Sequence, residues 1–298
     1  MNILITGATG FIGSHLVEYL LVNGFKIFVS SHKTNILDHR INSYTFNLNN
    51  INKDINFFKK NSIEGVIHLA TCYVKNHDSD DLNSLISTNV LFSTHILECA
   101  SLGGVKWFLN TGTYWQQVSK SLKKPLNLYT ATKESFELMS KLYVDRIKFF
   151  SIQLPDTYGY KDPRKKILNL LIEASIRQKK FNASSGFQKI NLLNIKDICN
   201  AYLHLINLIT SNQLNSGQSF NVLSNKFVSI RELADMIIKI SNKPLFINWD
   251  IQDASGIYDF SSVEFNKLPY WEQTTKLDEE ITKIYNEKAN NFNRHTNF

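Results

Sequence analysis

The sequence predicts an α/β protein built on a doubly wound parallel sheet, with a smaller α/β lobe toward its C-terminal end. Three observations carry that expectation. A short apolar strand, a glycine turn and a helix follow one another within the first two dozen residues. Apolar runs of strand length then alternate with segments of helical periodicity along the chain. Of the 298 residues, 43% are hydrophobic, enough for one large core or for a core with a smaller lobe beside it.

Residues 1–6 are apolar and rich in β-branched side chains, the pattern of a strand covered on both faces. Gly7-Ala8-Thr9-Gly10-Phe11-Ile12-Gly13 follows, and Ile12, Leu16, Tyr19 and Leu20 then recur at helical spacing up to Asn23-Gly24, a helix stop. This order makes a dinucleotide cradle. A helix N-terminus offers unpaired N–H groups and a positive dipole end to a pyrophosphate, and glycine lets the backbone approach it closely. Gly7, Thr9, Gly10, Phe11, Ile12 and Gly13 are therefore candidate cofactor contacts. The spacing is GxxGxxG rather than GxGxxG, and its position between a strand and a helix gives it its weight.

Residues 25–30 predict the second strand, whose end selects the cofactor. An Asp or Glu about 20 residues beyond the fingerprint usually bonds the adenosine ribose. Here Ser30-Ser31-His32-Lys33 stands there, with no acid between Glu18 and Asp38. Hydroxyls at Ser30 and Ser31 with the cation of Lys33 suit a 2′-phosphate, which favours NADP(H) and leaves NAD(H) possible; a solvated turn is the plainer reading. Residues 44–48 predict the third strand, with Asn47 and Leu48 at the adenine edge. Residues 65–71 predict the fourth, and its end at Leu69, Ala70 and Thr71 faces the cofactor. His68, inside that apolar run, reads as a satisfied core histidine. Residues 72–83 predict a polar loop containing Tyr73, whose acidic residues mark a solvated segment rather than a metal site. A helix over 84–100 carries Asn89.

Residues 105–111 predict the fifth strand, ending in the Thr111 hydroxyl and followed by Gly112-Thr113-Tyr114-Trp115-Gln116. Tyr129-Thr130-Ala131-Thr132-Lys133 comes next. On a helix, Tyr129 and Lys133 share one face a turn apart. A lysine ammonium and a nicotinamide cation beside a phenol favour the phenolate, so Tyr129 can pass a proton while hydride moves. Such a pair also arises by chance; its place behind the glycine turn and a hydroxyl-ended strand makes it a candidate. Residues 149–155 predict the sixth strand, ending at Pro155 and leading into Asp156-Thr157-Tyr158-Gly159. Lys161, Arg164, Lys165 and Lys166 follow, either a clamp for a second diphosphate or a solvated loop. A helix over 167–177, a strand over 191–195 and a capping box at Ser229–Glu232 complete the pattern, with a frayed polar tail after residue 286.

Lys and Arg number 33 against 26 acids, a net charge of +7, yet the basic residues are scattered and form no block with interleaved aromatics. Nucleic-acid binding is not expected; anionic cofactor and substrate account for the sign equally well. Three widely spaced cysteines indicate neither a disulfide framework nor a zinc site. No apolar run approaches the ~18 residues that span a bilayer, and no leader precedes the first strand, so a cytoplasmic location without membrane attachment is expected.

Taken together, TGATGFIG, VIHLA, Tyr129–Lys133, DTYG, NLLNIKD and a late LPYWE resemble the extended short-chain dehydrogenase/reductase family of nucleotide-sugar epimerases, dehydratases and reductases. The resemblance implies a Rossmann-type domain over 1–155, with 187–212 returning to it, and a nucleotide-sugar-binding lobe over most of 156–298. It implies Thr111, Tyr129 and Lys133 as the catalytic set, a homodimer, and a substrate pocket, which position assigns to Tyr73, Thr113, Tyr114, Gln116, Asp156 and Arg164. In the family's 4,6-dehydratases Asp-Glu follows the catalytic threonine; Gly112-Thr113 cannot supply that acid and base. A reductase of a 4-keto sugar or a 4-epimerase remains. The NTGTYWQ and NLYTATK segments look like the branch of CDP-abequose and CDP-paratose synthases, 4-ketoreductases serving lipopolysaccharide O-antigens. Asn47 and Asn191 stand where many members carry Asp.

Overall fold

Asn2–Thr6 forms the first strand, β1, and its Ile3, Leu4 and Ile5 are wholly buried. A strand covered on both faces cannot alternate polar and apolar residues, which is why the run is continuously apolar. The computed structural model describes residues 1–30, 38–249, 260 and 263–296. The chain divides into two units: Met1–Leu154, Cys199–Val222 and Val263–Pro269 make unit 1, and Pro155–Ile198, Leu223–Ser262 and Tyr270–Phe298 make unit 2.

In unit 1, β1 is followed by α1 (Phe11–Val22), β2 (Lys26–Ser30), β3 (Asn42–Tyr44), α2 (Ile51–Lys60) and β4 (Gly65–His68). A long helix then runs through α3 (Asp81–Ile86), a π-helical stretch over Ser87–Phe92, and α4 (Ser93–Leu102). After it come β5 (Trp107–Thr113), α5 (Trp115–Leu122), α6 (Leu128–Ser140) and β6 (Lys148–Leu154). With β10 (Ser219–Asn221), the sheet has seven strands among the described residues, in the order β10-β6-β5-β4-β1-β2-β3, every pair parallel. Chain order reverses between β1 and β4, so the carboxyl ends of those strands open the crevice where such sheets bind ligands. Leu4, Phe28, Phe58, Val66, Phe108, Phe136 and Phe149 pack one core of this unit. Gly65 belongs to it by having no side chain: a Cβ there would overlap the Trp107 indole.

Unit 2 contains β7 (Asp156–Tyr158), α7 (Ile167–Arg177), β8 (Phe181–Asn182), β9 (Lys189–Asn194), β11 (Phe227–Ser229), α9 (Ile230–Ser241), β12 (Ile247–Asn248) and α10 (Leu277–Thr296). β9 lies between β7 and β11, and β8 pairs with β12. Leu171, Ile172, Leu233, Ile237, Ile281 and Ile284 fill its core. The Ser229 hydroxyl accepts from the Glu232 N–H at 3.1 Å while the Glu232 carboxylate accepts from the Ser229 N–H at 2.6 Å, closing the expected capping box. α8 (Ile195–Thr210) starts in unit 2 and belongs to unit 1 from Cys199 onward.

Several expected boundaries move. The segment that returns to unit 1 is Cys199–Val222, joined by Val263–Pro269, and not 187–212, because β9 is bonded into the unit 2 sheet. β3 is Asn42–Tyr44 rather than 44–48: beyond it the Asn47 N–H is captured by the buried Asp54 carboxylate, which bends the chain into α2. The tail does not fray at residue 286. α10 continues to Thr296, since its buried Ile281, Ile284 and Tyr285 anchor a nucleated helix that then extends at little cost.

Candidate active site

The glycine turn has the form an anion cradle needs. Gly7 sits at φ +69°, and a Cβ on it would lie 2.6 Å from the Ala70 nitrogen. A Cβ on Gly13 would enter the Gly7 carbonyl. Gly10 caps α1 with no side-chain hydrogen bond, and the first turn holds no acid, so its N–H groups and dipole are kept for an outside anion. Phe11 and Gly13 are buried, Ile12 is half-buried, and Thr9 and Gly10 are exposed at the mouth of the turn. These residues fit a dinucleotide pyrophosphate. Leu69 is buried, Ala70 half-buried and Thr71 exposed where the chain leaves β4.

Adjacent to the turn, His68 occupies a buried relay. Ser93 Oγ donates to the Thr88 carbonyl, so His68 Nε2–H donates to Ser93 Oγ at 2.8 Å. His68 Nδ1 then accepts from the Thr6 hydroxyl at 2.8 Å, and Thr6 Oγ1 accepts from the Ala70 N–H at 3.2 Å. Burial pushes the imidazole pKa down to about 3, with the Lys133 charge adding to the effect, so His68 is a neutral brace for both residues that flank Gly7. It is the satisfied core histidine its apolar setting implied.

At the adenosine end, Ser30 closes β2 half-buried; Ser31 and Lys33 lie outside the described residues. Asn47 and Leu48 are exposed, and Asn47 Oδ1 accepts from the Asn49 N–H at 3.0 Å.

Thr111, on β5, and Tyr129 and Lys133, on α6, are all buried in unit 1. Asn127 starts α6 by accepting from the Thr130 N–H at 2.8 Å, which puts Tyr129 in the first turn and Lys133 one turn later on the same face. Lys133 Nζ donates to the Thr111 carbonyl at 3.0 Å. Desolvation lowers the ammonium pKa to about 8. The Tyr73 and Tyr129 rings form a T-shaped pair with centroids 4.9 Å apart, and Tyr73 is 48% exposed. The Thr111 hydroxyl is 2.6 Å from the hydroxyl of Tyr202 on α8.

Asn89 is the residue whose role the sequence did not show. It lies in the π-helical stretch, a feature often found at functional sites. Its amide donates to the Cys72 carbonyl at 2.9 Å and to the Thr132 hydroxyl at 3.0 Å, and its oxygen accepts from the Cys72 N–H and the Thr71 hydroxyl. It thereby clips the segment after β4 to the helix that carries Tyr129 and Lys133.

The expected substrate contacts fare unevenly. Thr113 is buried at the end of β5, and its N–H donates to Gln116 Oε1 at 2.9 Å. Gln116 also donates to Glu137, so its amide links β5 to α6 instead of facing out. Tyr114 is wholly buried against Trp115. Both are turned inward because α5 begins at once after β5, a helix that the sequence reading leaves out. Gly112 leaves the space that Gln116 fills, since a Cβ there would lie 2.5 Å from Gln116 Oε1. In unit 2, Pro155 is buried and Asp156 pairs with Lys166 at 3.8 Å. Arg164 donates to both Asp162 oxygens and to the carbonyl and hydroxyl of Thr157, bracing its own loop.

Asp54, His95 and Cys99 converge within 4.8 Å and have ligand atoms a metal could use. Asp54 already accepts from Tyr44 at 2.8 Å and pairs with His95 Nε2 at 2.7 Å, and burial pushes the Cys99 thiol pKa up to about 12. Protein partners thus satisfy the carboxylate, which makes the group a hydrogen-bonded bracket between α2 and α4. Among the described residues no helix is long and apolar enough to cross a membrane.

Comparison with known proteins agrees with this fold. The model of the NAD dependent epimerase/dehydratase family matches residues 3–222. A CDP-abequose synthase from Salmonella muenchen is 25% identical over 96% of this chain and 98% of its own. Another from Yersinia pseudotuberculosis is 26% identical over 82% of this chain and 86% of its own. Among solved structures, the UDP-glucose 4-epimerase of Thermotoga maritima with UDP-glucose superposes with a TM-score of 0.82 at 21% identity, covering 97% of this chain and 99% of that one. The UDP-glucuronic acid 4-epimerase of Bacillus cereus, in complex with UDP-glucuronic acid and NAD, gives 0.79 at 22% identity, covering 96% and 98%.

Proposed function

The chain belongs to the NAD dependent epimerase/dehydratase family, and on that premise we propose that it is an NADPH-dependent reductase of a nucleotide-linked 4-keto-deoxyhexose such as CDP-4-keto-3,6-dideoxyglucose. The observation that carries this reading against a dehydratase is the end of β5: Thr111-Gly112-Thr113 offers hydroxyls and no carboxylate beside the helix of Tyr129 and Lys133. Water loss from a sugar needs an acid and a base there, whereas ketone reduction needs only hydrogen-bond donors and one proton. Similarity to CDP-abequose synthases along nearly the whole chain supports the same choice.

The nicotinamide, when bound, supplies the hydride to the ketone carbon. Tyr129 gives its phenolic proton to the ketone oxygen as that oxygen gains charge. Lys133, held against the Thr111 carbonyl, places a positive charge on the Tyr129 face of α6 and favours the phenolate left behind. Thr111 donates to the same oxygen and fixes its position. Burial of all three keeps water from competing for the proton. The glycine turn would hold the pyrophosphate, and the hydroxyls of Ser30 and Ser31 with the cation of Lys33 would take the 2′-phosphate, which is the basis for preferring NADP(H).

The product would be a dideoxyhexose for a lipopolysaccharide O-antigen, made in the cytoplasm, where NADPH and nucleotide sugars are supplied. Exposed Leu82, Ile86 and Leu91 on the long helix and Leu138 on α6 suit burial against a second copy, the expected homodimer. A second reading, an NAD-retaining 4-epimerase, is favoured by the fold likeness to UDP-sugar 4-epimerases.

The deciding test follows NADPH or NADH absorbance with a panel of nucleotide-linked 4-keto-6-deoxy and 4-keto-3,6-dideoxy sugars. Stoichiometric NADPH loss with one substrate is expected. Sugar interconversion by NMR without net loss of either cofactor would establish the epimerase instead. Tyr129→Phe is expected to lower kcat by a factor of about 10² or more while NADPH still binds.

A further inference from the structure

Tyr202 is wholly buried on α8, as are Ala201, Leu205 and Ile206 of the same helix. Its hydroxyl is nevertheless 2.6 Å from Thr111 Oγ1, and that is its partner among the described residues. Burial holds the phenol pKa above its ordinary range, so the proton stays on Tyr202. That proton needs an acceptor, because a buried O–H left without one is destabilising. Thr111 Oγ1 is the acceptor at hand. With its oxygen accepting from Tyr202, the threonine must aim its own hydrogen elsewhere.

We propose that Tyr202 is a positioning residue that sets the Thr111 hydroxyl as a hydrogen-bond donor to the substrate's ketone oxygen. A ketone oxygen only accepts, so a threonine fixed as donor matches the keto sugar, and the bond strengthens as charge builds on that oxygen during reduction. Lys133 fixes the same residue through its carbonyl, so Thr111 is held at two atoms by two different helices. The inference rests on the reductase reading, in which Thr111 touches substrate.

The test is a double-mutant cycle on kcat with Tyr202→Phe, Thr111→Val and the pair together, alongside NADPH titration and thermal melting of each variant. The expected result is a roughly tenfold fall in kcat for Tyr202→Phe, the size of one hydrogen bond. NADPH affinity and melting should stay close to wild type, and the Thr111→Val background should show no further loss. An unchanged kcat, or a loss of the same size in both backgrounds, overturns the proposal and leaves the reductase reading standing. Should the wild type interconvert nucleotide hexoses without consuming NADPH, the reductase reading falls. The same cycle measured on that reaction then decides whether Tyr202 acts through Thr111: coupling supports it and additivity overturns it.

Discussion

The ammonium of Lys133 donates to the backbone carbonyl of Thr111 at 3.0 Å, tying α6 to the end of β5 inside the protein. Both candidate proton-handling elements are thereby fixed to one another. Placing a buried cation there costs folding energy, and that cost can be read against pH.

Burial lowers the Lys133 pKa from its ordinary 10.5 to about 8. Between those values the unfolded chain holds the proton and the folded chain has released it, so this group makes stability rise with pH across that window. The contribution reaches about 3 kcal/mol and is absent below pH 8, where both states are charged. Chemical denaturation of nucleotide-free protein from pH 7 to 10.5 should show this rise. Lys133→Met should flatten it, raise stability at pH 7 and abolish turnover.

His68 gives a second, separate window. Its folded pKa of about 3 lies below the ordinary 6.5, so the unfolded chain binds the extra proton between those values. Stability from this group is complete above pH 6.5 and falls as pH drops toward 3, by about 1.4 kcal/mol per unit. His68→Gln should remove that part of the acid sensitivity in urea titrations. It should also weaken binding of a nicotinamide dinucleotide, because Thr6, which holds the Ala70 N–H beside Gly7, loses its brace.

Gly13→Ala tests the cradle. Its Cβ would press on the Gly7 carbonyl and the Ala8 backbone, none of which is a flexible side chain. The turn must shift, and nicotinamide-dinucleotide affinity measured by fluorescence titration should fall at least tenfold. Gly24→Ala is the control: a Cβ there meets nothing within 4 Å, though its φ of +82° carries a strain cost of about 1 kcal/mol. That variant should keep full nicotinamide-dinucleotide affinity.

What the sequence made legible is local. The glycine turn, the pairing of Tyr129 with Lys133 and the capping box at Ser229 each depend on residues within a turn of one another. Backbone geometry alone therefore fixes their relation. The pattern failed where a distant group overrode it. The Tyr44, Phe46 and Leu48 alternation looked like a strand until Asp54 took the Asn47 N–H, and Gln116 looked accessible until Glu137 took its amide.

By itself, then, the sequence determined the fold class, the strand–glycine turn–helix order at its start and the placing of Tyr129 and Lys133 on one helix face, because periodicity and short spacing encode them. Only the tertiary structure decided how those groups are held. Thr111 and Tyr202 are 91 positions apart, and Asn89 and Thr132 are 43 apart. No local pattern specifies which buried hydroxyl finds which partner. That choice is made when the sheet and its helices close, and most buried polar groups then find partners.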